Sequence, residues 1–247
     1  MCLKNRFYLA VAVSALCCWS GWLTAGGSAQ ADDQNASTLQ KNQSTTQQSV
    51  PANDRESSRP AQQTEPQPIN LAGKGRQASE KFRLEPGLCV FEVNHDGDSN
   101  LVIRLLDRNG KEIDTVFNQI GKFTGQRAMN VPKGDTCLLD VQADGNWTAN
   151  IRQPRPTEGQ AAPCTLQGHG YNTTPFFKLE KGLAEFQMKH EGEARFRVVL
   201  LDRNGRPVEY LTNTLGAFEG SKPISIEEPG LYFLNVSADG DWTVDVK

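Results

Sequence analysis

A duplication with a fixed offset of 95 residues and no insertion governs what this chain can fold into. Leu106-Asp107-Arg108-Asn109-Gly110 returns as Leu201-Asp202-Arg203-Asn204-Gly205, and Ala143-Asp144-Gly145-Asn146-Trp147-Thr148 returns as Ala238-Asp239-Gly240-Asp241-Trp242-Thr243. The same offset carries Phe82 to Phe177, Phe91 to Phe186, His95 to His190, and Gly121, Phe123 and Gly125 to Gly216, Phe218 and Gly220. Self-similarity of this kind marks one structural unit used twice. The units span 69–151 and 164–247, and the stretch 152–163, with Pro154, Pro156 and Pro163, connects them. Each is about 83 residues, large enough to fold alone but with a small core.

Laid over each other, the two copies identify the buried face of each strand. Apolar residues persist at alternate positions: Phe91 and Val93 with Phe186 and Met188, and Leu101, Ile103 and Leu105 with Phe196, Val198 and Leu200. Leu139 and Val141 match Leu234 and Val236, while Trp147, Ala149 and Ile151 match Trp242, Val244 and Val246. The positions between them swap freely, as Val102 does with Arg197. A period of two on one face predicts half-buried antiparallel strands. Asn109-Gly110 and Asn204-Gly205 predict type I′ hairpin turns, Asp144-Gly145 and Asp239-Gly240 predict the same before the last strand, and Gly97 and Gly192 mark hairpins after the histidines. With about seven strands per unit and no helical pattern, the expected fold is all-β: two tandem small antiparallel β-sandwich (jelly-roll or Ig-like) domains after a disordered linker.

The region before the duplication reads as an export signal and a tether. Lys4 and Arg6 precede an uncharged apolar run from Phe7 to Trp19, and Ala29-Gln30-Ala31 supplies a small-x-small site for cleavage between Ala31 and Asp32. The apolar run is shorter than the roughly 20 residues a membrane span needs, so no span is expected after cleavage. Residues 32–68 are dominated by Gln, Ser, Thr, Asn and Pro and have no aromatic residue, a composition that predicts a disordered linker. The location implied is periplasmic, cell-surface or extracellular. The formal charge of the whole chain is −3, and loss of Lys4 and Arg6 leaves −5. That balance excludes a strongly basic nucleic-acid binder.

Cleavage would leave Cys89, Cys137 and Cys164 in an oxidising compartment. Cys89 and Cys137 fall on inward parity, and the second copy has Ala184 and Tyr232 in their places. A small residue opposite a large one in one copy and two thiols in the other predicts an adjacent pair, and so a Cys89–Cys137 disulfide. Cys164 is left free or available for an intermolecular disulfide.

No catalytic set is recognisable. Asp96, Asp98 and Asn100 offer oxygens at alternate positions, as a calcium loop does, but Leu101 stands where such a loop needs glycine, and the second copy has Arg195 in place of a ligand. A solvated turn is the favoured reading, with no metal and no cofactor expected. His95 and His190 could ligate or act as bases, yet they lack partners in any recognisable relation, which favours a structural role. The tryptophans share the parity of the core strands. Phe123 and Phe218, each within Gly-x-Phe-x-Gly, together with Tyr171 and Tyr210, are the candidates for a loop-borne ligand surface, the alternative being rings tucked back over the sandwich edge.

The string Gly-x-Tyr-x-Leu-x-Val-x-Ala-Asp-Gly-x-Trp-Thr, Gly230 to Thr243, resembles a β-sandwich module of secreted or envelope-attached bacterial proteins. Leu-Leu-Asp-x-x-Gly and Gly-x-Phe-x-Gly-Ser-Lys, the latter Gly216 to Lys222, are similar to the same module; the first copy departs with Gln126-Arg127 for Ser-Lys and Cys137 for the tyrosine. The resemblance spans both units, implies the fold and export, and carries no catalytic residue onto this chain. The expected function is therefore an exported, non-catalytic binding or scaffolding protein of the cell envelope, its partner an envelope component or a polysaccharide. Two alternatives stand beside it: a carbohydrate-binding or adhesion module, and an enzyme with a site between the repeats that uses His95 and His190.

Overall fold

The computed structural model describes residues 64–247. The expected signal sequence, its cleavage site at Ala31 and Asp32, and the expected linker as far as residue 63 lie outside the described residues. The first copy comprises β1 (Ile69–Lys74), β2 (Gln77–Ala78), β3 (Phe82–Leu84), β4 (Gly87–His95), β5 (Asn100–Asp107), β6 (Glu112–Ile120), β7 (Phe123–Val131), β8 (Asp135–Gln142) and β9 (Asn146–Arg152). A short β10 (Gln160–Ala161) lies in the connector. The second copy comprises β11 (Cys164–His169), β12 (Asn172–Thr173), β13 (Phe177–Leu179), β14 (Gly182–His190), β15 (Arg195–Asp202), β16 (Pro207–Leu215), β17 (Phe218–Ile226), β18 (Gly230–Ser237) and β19 (Asp241–Val246). Among the described residues there is no helix.

Each copy is a two-sheet antiparallel sandwich. In the first, β1-β9-β4-β7 faces β2-β8-β5-β6, with β3 also paired to β8. In the second, β11-β19-β14-β17 faces β13-β18-β15-β16, with β12 paired to β18 and the connector strand β10 added parallel to β13. The alternating residues meet between the sheets: Phe91, Val93, Leu101, Ile103, Leu105, Leu139, Val141, Trp147 and Ile151 form one core. Their counterparts Phe186, Met188, Phe196, Val198, Leu200, Leu234, Val236, Trp242 and Val246 form the other.

The expected turns and the expected cysteine pairing need correction. The Asn109-Gly110 hairpin closes on Asp107 and Lys111, with Asp107 Oδ1 accepting from the N–H groups of Asn109 (2.8 Å) and Lys111 (2.9 Å). That side-chain bridge stretches the loop to three residues with positive φ at Gly110 (83°), in place of a two-residue type I′ turn. Gly97 and Asp144-Gly145, with their counterparts, sit in crossovers between the two sheets and not in hairpins, because β4 and β9 belong to one sheet and β5 and β8 to the other. Cys89 and Cys137 are free thiols, both buried. They lie on β4 and β8, in the two facing sheets of the first core, with no bond between their sulfurs. Cys164 is likewise free and buried, in the second core, which withdraws its thiol from the surface an intermolecular bond would need.

The sandwiches are packed together and not merely strung on the connector. Leu88 and Val90 of β4 and Ala128 of β7 point outward from the first sandwich and bury against Val199 and Leu201 of β15 and Phe233 of β18, with Phe176 alongside. The rings of Phe176 and Phe233 meet with centroids 5.0 Å apart. Strand β7, an edge that would otherwise expose unpaired amides, is covered by the second copy. Gln126 N–H donates to Tyr171 O (2.9 Å), and the Asn235 side chain both accepts from Ala128 N–H and donates to Ala128 O (3.3 Å each). The connector is docked too: buried Gln153 accepts from Glu85 N–H (3.0 Å) and donates to Glu85 O (2.6 Å), and Arg155 donates to Pro86 O and Leu88 O.

Only one of the two equivalent faces is used in this way. The counterpart of Leu88 is Leu183, which is 78% exposed. Replacing Leu88 with Ala is expected to cost about 2–5 kcal/mol of unfolding free energy. Leu183→Ala should stay within about 0.5 kcal/mol of the parent. Urea denaturation of the two variants checks the contrast, and equal losses would contradict the packing described.

Candidate functional site

At one end of each sandwich every connection crosses between the sheets, and two polar side chains tie the crossovers together. His95 ends β4 with its side chain wholly enclosed. Its Nδ1 lies 3.0 Å from Gly121 O in the β6–β7 connection. A carbonyl oxygen only accepts, so Nδ1 carries a proton. Nε2 stands 3.2 Å from Asp144 Oδ1 in the β8–β9 connection, close enough for an ion pair but out of line for a hydrogen bond. The other oxygen, Asp144 Oδ2, accepts from the N–H groups of Asp98 (3.1 Å) and Ser99 (3.0 Å) in the β4–β5 connection. Trp147 adds the β1–β2 crossover: its indole Nε1 donates to Gly75 O (3.2 Å), while Gly75 N–H donates to Gly145 O (2.8 Å).

The second copy repeats the arrangement. His190 Nδ1 donates to Gly216 O (3.1 Å), Nε2 lies 3.2 Å from Asp239 Oδ1, and Asp239 Oδ2 accepts from Glu193 N–H (2.9 Å) and Ala194 N–H (2.8 Å). Trp242 Nε1 donates to Gly170 O (3.1 Å). A Cβ at Gly97 would collide with Asp144 Oδ1 and sit 2.6 Å from His95 Nε2, and Gly192 is confined in the same way by Asp239 and His190. Glycine is needed there for close approach, which leaves no imidazole edge open to a substrate.

The calcium-like triplet does not converge. Both oxygens of Asp96 are engaged by Asn146, through the backbone N–H (2.6 Å) and the side-chain amide (2.7 Å), and Asp98 turns its own N–H toward Asp144. Asn100 opens β5 opposite Ile120. Among the described residues no group of three or more His, Cys, Asp or Glu side chains could hold a metal ion. The Asn146 side-chain amide, then its N–H, holds the Asp96 carboxyl below its ordinary 3.8. For Asp239 burial works against the carboxylate, but the N–H groups of Ala194 and Glu193 outweigh it and lower the value.

The aromatic candidates are mostly packed against their own protein. Phe123 and Phe218 open strands β7 and β17, paired with His95 and His190, and are not on loops. The Phe123 ring lies 4.9 Å from Phe117 and 5.5 Å from Tyr171, and folds over Gly125, where a Cβ would come 2.5 Å from its Cζ. Phe218 packs on Phe196 and folds over Gly220 likewise. The second glycine of each Gly-x-Phe-x-Gly thus makes room for a ring that shields it. Tyr171 seats on the first copy's core. Tyr210 alone among the four is strongly exposed, at 51%, with the Arg197 guanidinium 5.1 Å from its ring centroid.

A different surface presents a ligand-sized array. On the outer face of β1-β9-β4-β7 the strand register lines up two cross-strand rows: Ala72, Thr148, Asn94 and Thr124, then Asn70, Asn150, Glu92 and Gln126. The array is organised by its own hydrogen bonds, Thr124 Oγ1 to Asn94 Oδ1 (2.9 Å), Asn94 Nδ2 to Thr148 Oγ1 (3.4 Å) and Asn150 Nδ2 to Asn70 Oδ1 (2.6 Å). Two adjoining depressions of about 340 and 320 Å³ share Asn94 and Thr148. Glu92 is the only charged side chain in the two rows. The equivalent rows of the second copy are Gln167, Thr243, Lys189 and Glu219, then Thr165, Asp245, Gln187 and Ser221, with three charges among them. Sequence reasoning passed over this face because outward positions were read as solvent. The available signal was the first copy's Asn70, Asn94 and Asn150, where the second has Thr165, Lys189 and Asp245.

No family model and no curated protein sequence matches the chain. Among solved structures it is similar to the M60 catalytic domain with the CBM51-1 and CBM51-2 domains of Clostridium perfringens ZmpB, at 7% identity over 72% of this chain and 34% of that one, TM-score 0.27. It is similar also to the CBM22-1-CBM22-2 tandem domain of Paenibacillus barcinonensis Xyn10C, at 12% identity, 72% and 86% coverage and TM-score 0.25. A third is a fucolectin from striped bass (Morone saxatilis) serum, at 10% identity, 72% and 84% coverage and TM-score 0.22. The chain spans about a third of the length of the clostridial protein.

The lowered carboxyls set a direction for acid sensitivity. A group depressed in the folded state stabilises above its unfolded value and loses that contribution as pH falls through the folded one. The stability lost on Asp239→Asn should therefore be largest near neutrality and shrink as pH falls through 3.8 and below. Denaturation of parent and variant from about pH 6 to about pH 3 checks this. A difference that grows on acidification would contradict it.

Proposed function

We propose that this protein is an exported, non-catalytic binding protein of the cell envelope that holds a neutral polysaccharide segment on the outer face of the β1-β9-β4-β7 sheet. The observation that carries the reading is the pair of amide and hydroxyl rows across that face. Side-chain amides and hydroxyls both donate and accept, which matches a ligand that offers a hydroxyl at nearly every carbon. A near absence of charge favours a neutral polymer over an acidic one. Strand spacing sets the rows' pitch at about 4.8 Å across the sheet and about 7 Å along it, a fixed grid on rigid elements.

The export part of the reading is supported by the leader-like start and by the polar composition of 32–68. The non-catalytic part of the reading is supported by the histidines, which are enclosed by their own turns and consumed in holding them. No exposed aromatic ring belongs to the two rows, so each hydrogen bond contributes a net of about 0.5–1.5 kcal/mol and binding is weak per site.

Affinity electrophoresis of the protein through gels containing neutral or acidic polysaccharides tests the reading. Retardation by a neutral polymer is expected, weakened about 10-fold or more in the Asn94→Ala/Asn150→Ala double variant, from two lost hydrogen bonds. It should be unchanged in Tyr210→Ala. Retardation that survives the double variant, or none by any neutral polymer, would overturn it.

A further inference from the structure

The two polar rows on the outer face of β1-β9-β4-β7 stop where the second sandwich begins. The next outward positions along the strands are Arg152 on β9, Val90 on β4 and Ala128 on β7, and the second copy covers Val90 and Ala128. At that step a crevice of about 310 Å³ opens between the sandwiches. The first copy contributes Gln126 and Arg152 to it, the connector Pro154, and the second copy Asn172, Pro175 and Phe176. Pro175 is exposed and the other five are half-buried, so the space is open to solvent. Its volume falls at the lower end of the range of about 300–1,000 Å³ typical of small-molecule sites.

The crevice combines two kinds of surface. Its apolar part is the Phe176 ring with Pro154 and Pro175. That ring is held from behind by Phe233, with centroids 5.0 Å apart, and the Phe176 backbone is fixed by the connector, since Gln160 N–H donates to Phe176 O (2.9 Å). Its polar part is Gln126, Asn172 and Arg152. Thr173 Oγ1 donates to Gln126 Oε1 (2.8 Å), so the row of Asn70, Asn150, Glu92 and Gln126 is continued onto β12 of the second copy. Arg152 Nη2 lies 3.7 Å from Glu92 Oε2, and its charge offsets the one charge in that row. At the 95-residue offset from Asn172, Thr173 and Phe176 the first copy has Gln77, Ala78 and Lys81, so the ring at the junction belongs to one copy alone.

We propose that this crevice is an aromatic subsite of the same face, taking one neutral sugar ring whose C–H face lies on Phe176 and whose hydroxyls meet the Gln126 and Asn172 amides and the Arg152 guanidinium. A pyranose carries hydroxyls around its rim and C–H groups on its faces. A half-exposed aromatic ring on a fixed backbone suits the face, and amide and guanidinium groups around it suit the rim. The inference rests on the reading of the two rows as a polysaccharide site and extends it: the site is built by both copies, and Phe176 supplies the apolar burial that the rows lack.

The probes are neutral gluco-, manno-, galacto- and xylo-oligosaccharides, from disaccharide to hexasaccharide, titrated into the full chain and followed by NMR. The Phe176 ring signals and the Asn172 side-chain amide should shift together with the side-chain amides of Asn94 and Asn150. Phe176→Ala should weaken hexasaccharide binding about fivefold, from the lost apolar contact, and Asn172→Ala by about the same factor, the worth of one hydrogen bond. Should Phe176→Ala not fold, Asn172→Ala and the spectra of the parent serve alone. Shifts at Asn94 and Asn150 with Phe176 and Asn172 silent, or parent-like affinity in the folded variants, would overturn the crevice subsite and leave the two rows standing. No shift at any of these residues with any member of the series would overturn both.

Discussion

One carboxylate per sandwich holds the architecture closed. Asp144 in the first copy and Asp239 in the second each reach from one crossover to the backbone amides of another and to an enclosed imidazole that in turn holds a third. The two layers of the sandwich are joined by backbone only at their crossovers, so holding the crossovers together keeps the layers from slipping or splaying. Here the imidazole, the carboxylate and the indole fix four connections at once, and the glycine opposite them lets the turn come close enough to be caught. Ala-Asp-Gly-x-Trp-Thr, which recurs in both copies, supplies the carboxylate and the indole of this lock.

With the lock held constant, the copies differ through a few side chains, and each difference has a structural consequence. Leu88, Val90 and Ala128 make one outer patch of the first sandwich apolar, and the second copy's Val199, Leu201 and Phe233 cover it. At the offset positions Leu183 is exposed beside Glu185, and Arg104 pairs with Asp140 at 3.3 Å, so the packing of one copy on the next does not repeat. Cys137 stands where the second copy buries the ring of Tyr232. Asn94 and Asn150, where the second copy has Lys189 and Asp245, leave Glu92 as the one charged side chain in the two rows. The two copies thus share the lock and differ in the outer faces they present, one copy's apolar patch being covered by the other.

The fold was legible because duplication acts as an internal control. Positions apolar in both copies, such as Leu105 and Leu200, had to be inward, and Trp147 and Trp242 fell on the same parity. What parity does not carry is which sheet a strand joins. Gly97 and Asp144-Gly145 have the turn chemistry of hairpins yet sit in crossovers, and Cys89 and Cys137 both point inward but from opposite layers. Gly-x-Phe-x-Gly looked like a loop because its glycines suggest freedom, whereas Gly125 is there to admit the Phe123 ring. The polar face escaped notice since its residues are individually ordinary; only the register of β1, β9, β4 and β7 brings Asn70, Asn94 and Asn150 together.

The claim that the duplicated polar residues serve closure while an unduplicated sheet face meets the ligand is tested most directly by NMR. The isotopically labelled protein would be titrated with oligosaccharides of a neutral polymer that retards it. Side-chain amide signals of Asn70, Asn94 and Asn150 and the backbone signal of Thr148 should shift together, with the imidazole signals of His95 and His190 unmoved. Shifts of those imidazoles with a silent amide face would contradict the account.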